Sequence, residues 1–308
     1  MTGFVASLDG GGTKTAAAIA FRDGRVERQI TRAGSNPQDH ADWAEALDAA
    51  LAPLVGAEHT VLGLAGYGEV PSLDAVLRRK VSEWLGARTT ALNDVELAAM
   101  AAFPQGGGVL ILSGTGSMAI ATGPLGTVRV GGWGDLFGDE GSGYWIGREA
   151  LARASRERDG RAVDRGLATA MEQRLGLPPD EGRFALLGWA VRQKHARAGI
   201  ASLALMIATL AETGLAPARE VLDEAARELA HLGRSAAGQA GLWGPQPWAA
   251  AGSVFRSAVL RDSLSRHLGA APVEPAADAL AGGLILAAEA AGWAVDDGWR
   301  ARVVAGCR

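Results

Sequence analysis

A glycine-rich turn near the start of the chain has the residue types needed to hold nucleotide phosphates. It separates two apolar runs, Phe4–Leu8 and Thr15–Phe21, that are typical of strands. Glycine lacks a Cβ atom, so backbone N–H groups in such a turn can approach phosphate oxygens. A plain hairpin without a ligand is an equally good interpretation of this turn taken alone. The candidate nucleotide-binding residues are Asp9, Gly10, Gly11, Gly12, Thr13 and Lys14.

Asp9 is in addition the candidate ligand for a magnesium ion. Magnesium keeps much of its bound water and is held by few protein oxygens, so we expect Asp9 to contact it through water. The P-loop pattern, which would supply a different phosphate and magnesium site, is absent from the sequence.

A second glycine turn recurs later in the chain. Apolar runs at Val109–Leu112 and Met118–Thr122 flank it, which indicates either a weak internal duplication or a chance coincidence of two turns. Residues 114–119 also match the dinucleotide-binding pattern, but that pattern needs a helix after the turn and a strand is predicted here. A second phosphate-binding hairpin is therefore favoured, with candidate residues Gly114, Thr115, Gly116 and Ser117.

Asp94 is the candidate general base. It follows a short apolar strand and opens a helix, and ligands of α/β proteins bind at the carboxyl ends of strands. Phosphoryl transfer to a hydroxyl group uses a carboxylate near the attacking oxygen. The competing interpretation is a helix N-cap, since Asp accepts hydrogen bonds from the first turn of a helix.

The stretch from Gly131 to Gly143 combines glycines with a tryptophan and acidic side chains. Carboxylates accept hydrogen bonds from sugar hydroxyls, and an aromatic face packs against the C–H side of a sugar ring. A flexible surface loop with solvated acids is the alternative, but this combination would be unusual in such a loop. We therefore predict a sugar site here, with Gly132, Trp133 and Gly134 and the three carboxylates Asp135, Asp139 and Glu140 as the candidates.

The composition limits the classes of protein to consider. The chain has 308 residues, 48% of them hydrophobic, which is enough for two domains with sizeable cores. A net charge of −4 without a run of Lys or Arg argues against nucleic acid as a partner. Cys307 is the single cysteine, so an internal disulfide or a cysteine metal site is excluded. With no signal peptide or membrane-spanning run in the sequence, we expect a cytoplasmic enzyme with no membrane partner.

Strands alternate with helices in both halves of the sequence, which predicts a two-domain α/β protein. Residues 104–108 are the candidate hinge, giving an N-terminal domain over 1–107 and a C-terminal domain over 108–308. The last predicted helix, about 277–291, could pack back on the N-terminal domain. Further helices are predicted at 37–54, 183–195 and 200–213, and a last short strand at 272–274.

The ordered set of motifs resembles the N-acetylglucosamine kinases and the wider family of activator ATPases and glucosamine kinases that share their domain. The motifs extend over most of the chain, and their order is more specific than any one of them. They are DGGGT at 9–13, GSN at 34–36, ND at 93–94, SGTGS at 113–117, GWG at 132–134, GDEGS at 138–142 and AGSV at 251–254.

The resemblance implies a two-domain actin-like ATPase fold of the ribonuclease H-like kind, with ATP in the interdomain cleft. It implies that Gly252 and Ser253 lie near the adenosine. Asn36, Trp133 and Asp139 would then contact an amino sugar, and Asp94 would be the base. The activity implied is ATP- and magnesium-dependent phosphorylation of N-acetylglucosamine to its 6-phosphate by a homodimer. Glucosamine is the alternative substrate.

Two departures from related branches narrow this resemblance. The activator branch carries paired cysteines for an iron–sulfur cluster, and another bacterial sugar-kinase branch carries a cysteine-rich zinc motif. Cys307 alone supplies neither the iron–sulfur cluster nor the zinc motif.

A nucleotide-binding regulator without a sugar substrate stays open as a different class of protein. It would need the glycine turns but not Asp94 or the stretch from Gly131 to Gly143, called the tryptophan loop below. A dehydrogenase that uses residues 114–119 is the third class.

Overall fold

The chain forms two compact units in the computed structural model, which describes residues 3–11, 14–31, 34–37 and 42–307. Unit 1 is made of Met1–Gly106 and Glu274–Arg308, and unit 2 of Gly107–Val273. The prediction places 108–308 in the C-terminal domain, with the helix at about 277–291 able to pack back on the N-terminal one. In the structure this helix begins at Ala279 and packs against the first strand of unit 1, and the residues from Glu274 onward belong to that unit.

The described residues show the alternation of strands and helices expected of an α/β protein. The strands are β1 (Phe4–Gly10), β2 (Thr15–Phe21), β3 (Val26–Thr31), β4 (Thr60–Leu64), β5 (Thr89–Asn93), β6 (Gly108–Ser113), β7 (Ser117–Gly123), β8 (Gly126–Gly131) and β9 (Trp248–Ala251). The helices are α1 (Trp43–Leu51), α2 (Pro71–Leu85), α3 (Asp94–Ala102), α4 (Gly143–Arg158), α5 (Leu167–Arg174), α6 (Ala185–Val191), α7 (Ala196–Glu212), α8 (Ala216–Gln239), α9 (Ala258–Leu268), α10 (Ala279–Ala290) and α11 (Asp297–Cys307).

The sheet of unit 1 has the strand order β3-β2-β1-β4-β5. The first three strands are antiparallel, and β4 and β5 run parallel to β1. Residues of opposite parity on β1 face opposite sides of the sheet. Val5 packs with Leu97 and Leu284 of α3 and α10, whereas Leu8 packs with Leu47 of α1. The parallel strands bring the carboxyl ends of β1, β4 and β5 to one edge of the sheet.

The sheet of unit 2 repeats the plan of the first four strands of unit 1. Its order is β8-β7-β6-β9, with β9 parallel to β6 and the other pairs antiparallel. Helix α8 packs against β6, β7 and β8, and α4 packs against α7. Both glycine turns therefore join the first two strands of equivalent sheets, which supports the predicted internal duplication.

Three predicted elements differ from those in the structure. The strand at 272–274 does not form: the Val273 N–H donates to the Trp248 carbonyl oxygen (2.8 Å), but the surrounding backbone is irregular. The helix predicted at 183–195 is limited to α6, because His195 is extended and precedes the first turn of α7. The helix predicted from Pro37 begins only at Trp43.

Helix α11 was not predicted from the sequence. Its apolar residues recur every four positions, and Trp299, Val303 and Cys307 are buried in the core of unit 1. Asp296 supplies the start signal, since its Oδ1 atom accepts from the Trp299 N–H at 2.6 Å. No helix among the described residues is long and apolar enough to cross a membrane.

Candidate active site

The turn between β1 and β2 is closed on itself and tied to the end of β4. The Gly11 N–H donates to the Lys14 carbonyl oxygen at 3.1 Å. The Gly10 carbonyl oxygen accepts from the Ala65 N–H at 2.8 Å. Lys14 is exposed, so its ammonium group is accessible to a ligand. The first glycine turn is thus anchored on neighbouring backbone at the carboxyl end of two parallel strands.

A short segment ahead of α1 lies against the same turn. The Ser35 N–H donates to the Gly11 carbonyl oxygen at 3.2 Å. Asn36, the predicted sugar contact, follows Ser35 directly and is partly buried. The structure thus brings the Asn36 segment to the predicted phosphate-binding turn. Gly12 and Thr13, two further predicted contacts, lie outside the described residues.

Asn93, rather than Asp94, is the N-cap of helix α3. Its side-chain oxygen accepts from the Val95 N–H (3.1 Å), and its amide group donates to the Tyr67 carbonyl oxygen (3.1 Å). Asp94 is the first helical residue, and its Oδ1 atom also accepts from the Val95 N–H, at 3.0 Å. Because Asn93 already supplies the cap, capping does not account for a carboxylate at position 94.

The carboxyl groups of Asp9 and Asp94 lie at the same edge of the unit 1 sheet. Burial is the main cause that raises the pKa of Asp94, to about 7, and the charge of Asp9 raises it further. Burial likewise raises the pKa of Asp9, against the opposing effect of Lys14, while Asp278 adds to the rise. Burial and the negative charges of neighbouring carboxylates both disfavour the ionised forms of Asp9 and Asp94, so a cation bound at this edge of the sheet would stabilise them.

The second glycine turn, between β6 and β7, and the loop between β8 and α4 form one hydrogen-bonded structure. The hydrogen bonds that join them include, with the donor first, Ser113 Oγ to Gly141 O (2.9 Å), Ser117 Oγ to Glu140 O (2.7 Å), Gly143 N to Gly114 O (2.8 Å) and Gly132 N to Ser117 O (2.9 Å). The predicted nucleotide turn and the predicted sugar loop are therefore held together within unit 2. In the sequence the two are separate motifs, and only the structure shows that they are bonded to each other.

Asp139 lies at the centre of this structure and is only 2% exposed. Its Oδ1 atom accepts from the Ser117 N–H at 3.3 Å, and its Oδ2 atom accepts from Arg197 at 2.6 Å. A Cβ atom added to Gly116 would lie 2.9 Å from the Asp139 carboxylate. Gly116 is thus required in part to make room for Asp139, a reason different from the phosphate contact that the sequence suggested.

The first half of the loop is open to solvent. Trp133 is 72% exposed, and it stands between Gly132 and Gly134, which both have positive φ angles (73° and 84°). The Arg129 guanidinium donates to the Gly132 carbonyl oxygen at 3.1 Å. The indole ring of Trp133 is therefore accessible to a ligand while the backbone on its N-terminal side is held.

A pocket of about 290 Å³ opens beside the second glycine turn. Gly114, Thr115 and Ser253, three predicted nucleotide contacts, line it together with small residues of α7. Gly252 has a φ angle of 102°, and a Cβ atom there would lie 2.3 Å from the Ser113 carbonyl oxygen. Gly252 thus allows the chain after β9 to approach the turn, which places Ser253 at the pocket.

Arg129 and Arg197 are the residues of this site that the motifs missed. Arg197 lies 58 positions after Asp139 and in no recognisable pattern, so only the packing of α7 brings it to the loop.

The dinucleotide-binding alternative for residues 114–119 is wrong, because β7 follows the turn where that pattern needs a helix. Among the described residues, no group of three or more His, Cys, Asp or Glu side chains could hold a metal ion.

The sequence profile of one protein family covers most of the chain and agrees with this geometry. The BadF/BadG/BcrA/BcrD ATPase family matches residues 8–291, which include both glycine turns, Asp94 and the tryptophan loop. This chain belongs to that family. Membership of an ATPase family implies ATP as a ligand, in agreement with the pocket that predicted nucleotide contacts line at the second glycine turn.

Two named relatives are similar to this chain over most of their length. The N-acetylmuramic acid/N-acetylglucosamine kinase of Clostridium acetobutylicum is 28% identical over 239 residues, which cover 73% of this chain and 76% of the relative. The N-acetyl-D-glucosamine kinase of Dictyostelium discoideum is 26% identical over 288 residues, covering 85% and 88%. This ATPase-family chain is therefore similar to sugar kinases over most of its length.

Solved structures show the same fold. A protein from Chromobacterium violaceum named as an N-acetylglucosamine kinase has a TM-score of 0.70 and 25% identity, covering 93% of this chain and 99% of that one. A ROK family glucokinase from Streptomyces griseus, solved with glucose and AMPPNP, has a TM-score of 0.51 and 20% identity, covering 93% and 100%. The α/β fold of the actin-like ATPases and sugar kinases, predicted from the sequence, is confirmed.

Proposed function

We propose that this chain is an ATP-dependent kinase that transfers a phosphoryl group to the 6-hydroxyl of N-acetylglucosamine. The observation that carries the proposal is Asp94, a carboxyl group at the end of a parallel strand that the helix cap does not require. Its pKa of about 7 matches the operating range of a general base. The names of the two relatives support the choice of sugar.

In the proposed mechanism Asp94 takes the proton of the attacking hydroxyl group. The hydroxyl oxygen forms a bond to the γ-phosphorus of ATP as the bond from that phosphorus to the bridging β–γ oxygen breaks, and ADP leaves with that oxygen. Most of the catalysis in such a reaction comes from positioning and from stabilising charge on the phosphate oxygens. Backbone N–H groups of the two glycine turns are the proposed source of that stabilisation in this chain.

The proposed sugar contacts come from the loop between β8 and α4 and from Asn36. The exposed Trp133 ring would cover the apolar side of the sugar, and Gly132 and Gly134 would let the backbone approach it. Asp139 would accept from a sugar hydroxyl in addition to its two present donors, since a carboxylate has further lone pairs. A homodimer remains a prediction.

Asp9 fits a magnesium ion by charge. Burial is the main cause that raises the pKa of this carboxyl group, so a cation beside it would stabilise its ionised form, and a hydrated magnesium ion would supply one. When bound, magnesium neutralises charge on the phosphates of ATP. Lys14, whose charge already lowers the pKa of Asp9, would share in holding those phosphates.

Blocking the pocket beside the second glycine turn is expected to weaken ATP binding. Ser202 lies on the exposed side of α7 and lines this pocket, so Ser202→Trp would place an indole ring in it. We expect the KM for ATP to rise by about tenfold or more, equivalent to at least about 1.4 kcal/mol of lost binding. Glu212→Trp is the matched control, because Glu212 is an exposed residue of the same helix away from the pocket. Equal KM values in the two variants would place the nucleotide elsewhere.

The function itself is tested by incubating the protein with ATP, magnesium and a panel of sugars while ADP is measured. We expect ADP release to depend on N-acetylglucosamine and one equivalent of sugar phosphate to form. Preference for glucosamine or N-acetylmuramic acid would keep the kinase but change its substrate. ADP release that no sugar accelerates would favour a regulatory ATPase and overturn the proposal.

A further inference from the structure

Arg197 bridges two acidic residues of the loop between β8 and α4. Its Nη2 atom lies 2.6 Å from Oδ2 of Asp139, and its Nε atom lies 3.3 Å from Oδ1 of Asp135. The Asp139 carboxylate is almost fully buried, whereas the Arg197 side chain is 40% exposed. Asp135 lies within a tight turn that the Gly138 N–H closes on the Gly134 carbonyl oxygen, at 2.9 Å, and Asp139 directly follows this turn.

The position of Arg197 on its helix is not explained by helix stability. It is the second residue of α7, where the positive end of the helix dipole disfavours a cation. Its planar guanidinium donates to Asp139 through Nη2 and lies within ion-pair distance of Asp135 at Nε, a two-sided contact that a lysine ammonium on a flexible chain reproduces less well. Both observations indicate that the contacts with Asp135 and Asp139 are the reason for an arginine at this position.

Arg197 is also linked to the second glycine turn through Asp139. Asp139 accepts from Arg197 with one oxygen and from the Ser117 N–H with the other. The tight turn that contains Leu136 and Phe137 is exposed between the two bridged acids. Without Arg197, the hydrogen bond from the Ser117 N–H to Asp139 would remain, but the ion pairs of Arg197 with Asp135 and Asp139 would be lost.

We propose that Arg197 is a positioning residue for the sugar site. By bridging Asp135 and Asp139 it fixes the backbone between Gly132 and Asp139, and so sets the orientation of Trp133 toward the sugar. The proposal rests on the proposed function, because it assigns the loop to the sugar. It predicts that loss of the bridge affects the sugar far more than the nucleotide.

The kinetic test compares Arg197→Ala and Arg197→Lys with Arg192→Ala, a control that removes an exposed surface pair with Glu181 in the same unit. A misplacement of about 1 Å can cost about 10²-fold, so we expect kcat/KM for the sugar to fall by about that factor in Arg197→Ala, with the KM for ATP changed by less than about threefold. Arg197→Lys should recover part of the loss, because it restores one ion pair. Equal losses for sugar and ATP, or no loss, would overturn the proposal.

A second measurement needs no substrate. Amide hydrogen exchange between Gly132 and Asp139 is expected to be faster in ligand-free Arg197→Ala than in the wild type, and unchanged in Arg192→Ala. Unchanged exchange in Arg197→Ala would contradict the positioning role even if activity fell. If the wild type phosphorylates no sugar, the proposed function fails, whereas the exchange result still decides whether Arg197 holds the loop.

Discussion

Replacing Asp94 by asparagine is expected to lower kcat by about 10²–10⁴-fold, the usual effect of losing a general base. Asparagine keeps the size of the side chain and can still accept from the Val95 N–H, but it cannot take a proton. Because Asn93 supplies the cap, helix α3 should be unaffected. Steady-state kinetics with saturating ATP and sugar measures the effect, and nucleotide binding measured by calorimetry should be nearly unchanged. Turnover close to that of the wild type would show that the base lies elsewhere.

The pH dependence gives an independent check on the same residue. Asp94 must be ionised to act as a base, so kcat/KM for the sugar should fall as pH is lowered through about 7.

The contribution of Asp94 to the free energy of unfolding changes with pH in the opposite direction to the activity. A carboxyl group whose pKa rises from 3.8 to about 7 on folding adds stability at low pH, which is lost as pH rises through the folded pKa. Asp94→Asn should therefore be at least as stable as the wild type at about pH 8, with no such advantage at about pH 4.

Replacing Asp139 by alanine is expected to impair the use of the sugar strongly. The change removes the acceptor of the Ser117 N–H and the partner of Arg197, and it deletes the carboxylate proposed to bind a hydroxyl group. We expect kcat/KM for the sugar to fall by at least about 10²-fold, since an unpaired polar group and a displaced loop act together. The KM for ATP should change much less, because the β6–β7 ladder still holds the turn.

Two further variants separate the roles of the Asp139 side chain. Asparagine tolerates the positive φ angle of 56° at this position and can still accept from the Ser117 N–H, but it loses the ion pair. Asp139→Asn should therefore lie between the wild type and Asp139→Ala in sugar kcat/KM. Asp135→Ala, which leaves Asp139 in place, should have a smaller effect. Wild-type kinetics in Asp139→Ala would remove Asp139 from the sugar site.

The main parts of the candidate site could be predicted because their signals are local. A glycine turn between two apolar runs specifies a hairpin whose backbone can approach a phosphate, and both β1–β2 and β6–β7 have this form. An acidic residue directly after a short strand is placed at the carboxyl end of a sheet wherever parallel strands form, as at Asp94. These features depend on residues within a few positions of one another.

The tertiary structure decided which residues meet across long separations. Helix packing brings Arg197 to Asp139, and it places the residues from Glu274 onward in unit 1, although no local pattern requires either. It also decided between close alternatives. Asn93 and Asp94 are both good caps by residue type, and only the backbone geometry at the end of β5 selects Asn93. Local chemistry therefore determined what each motif can do, whereas the burial of distant side chains against one another determined which motifs share a site.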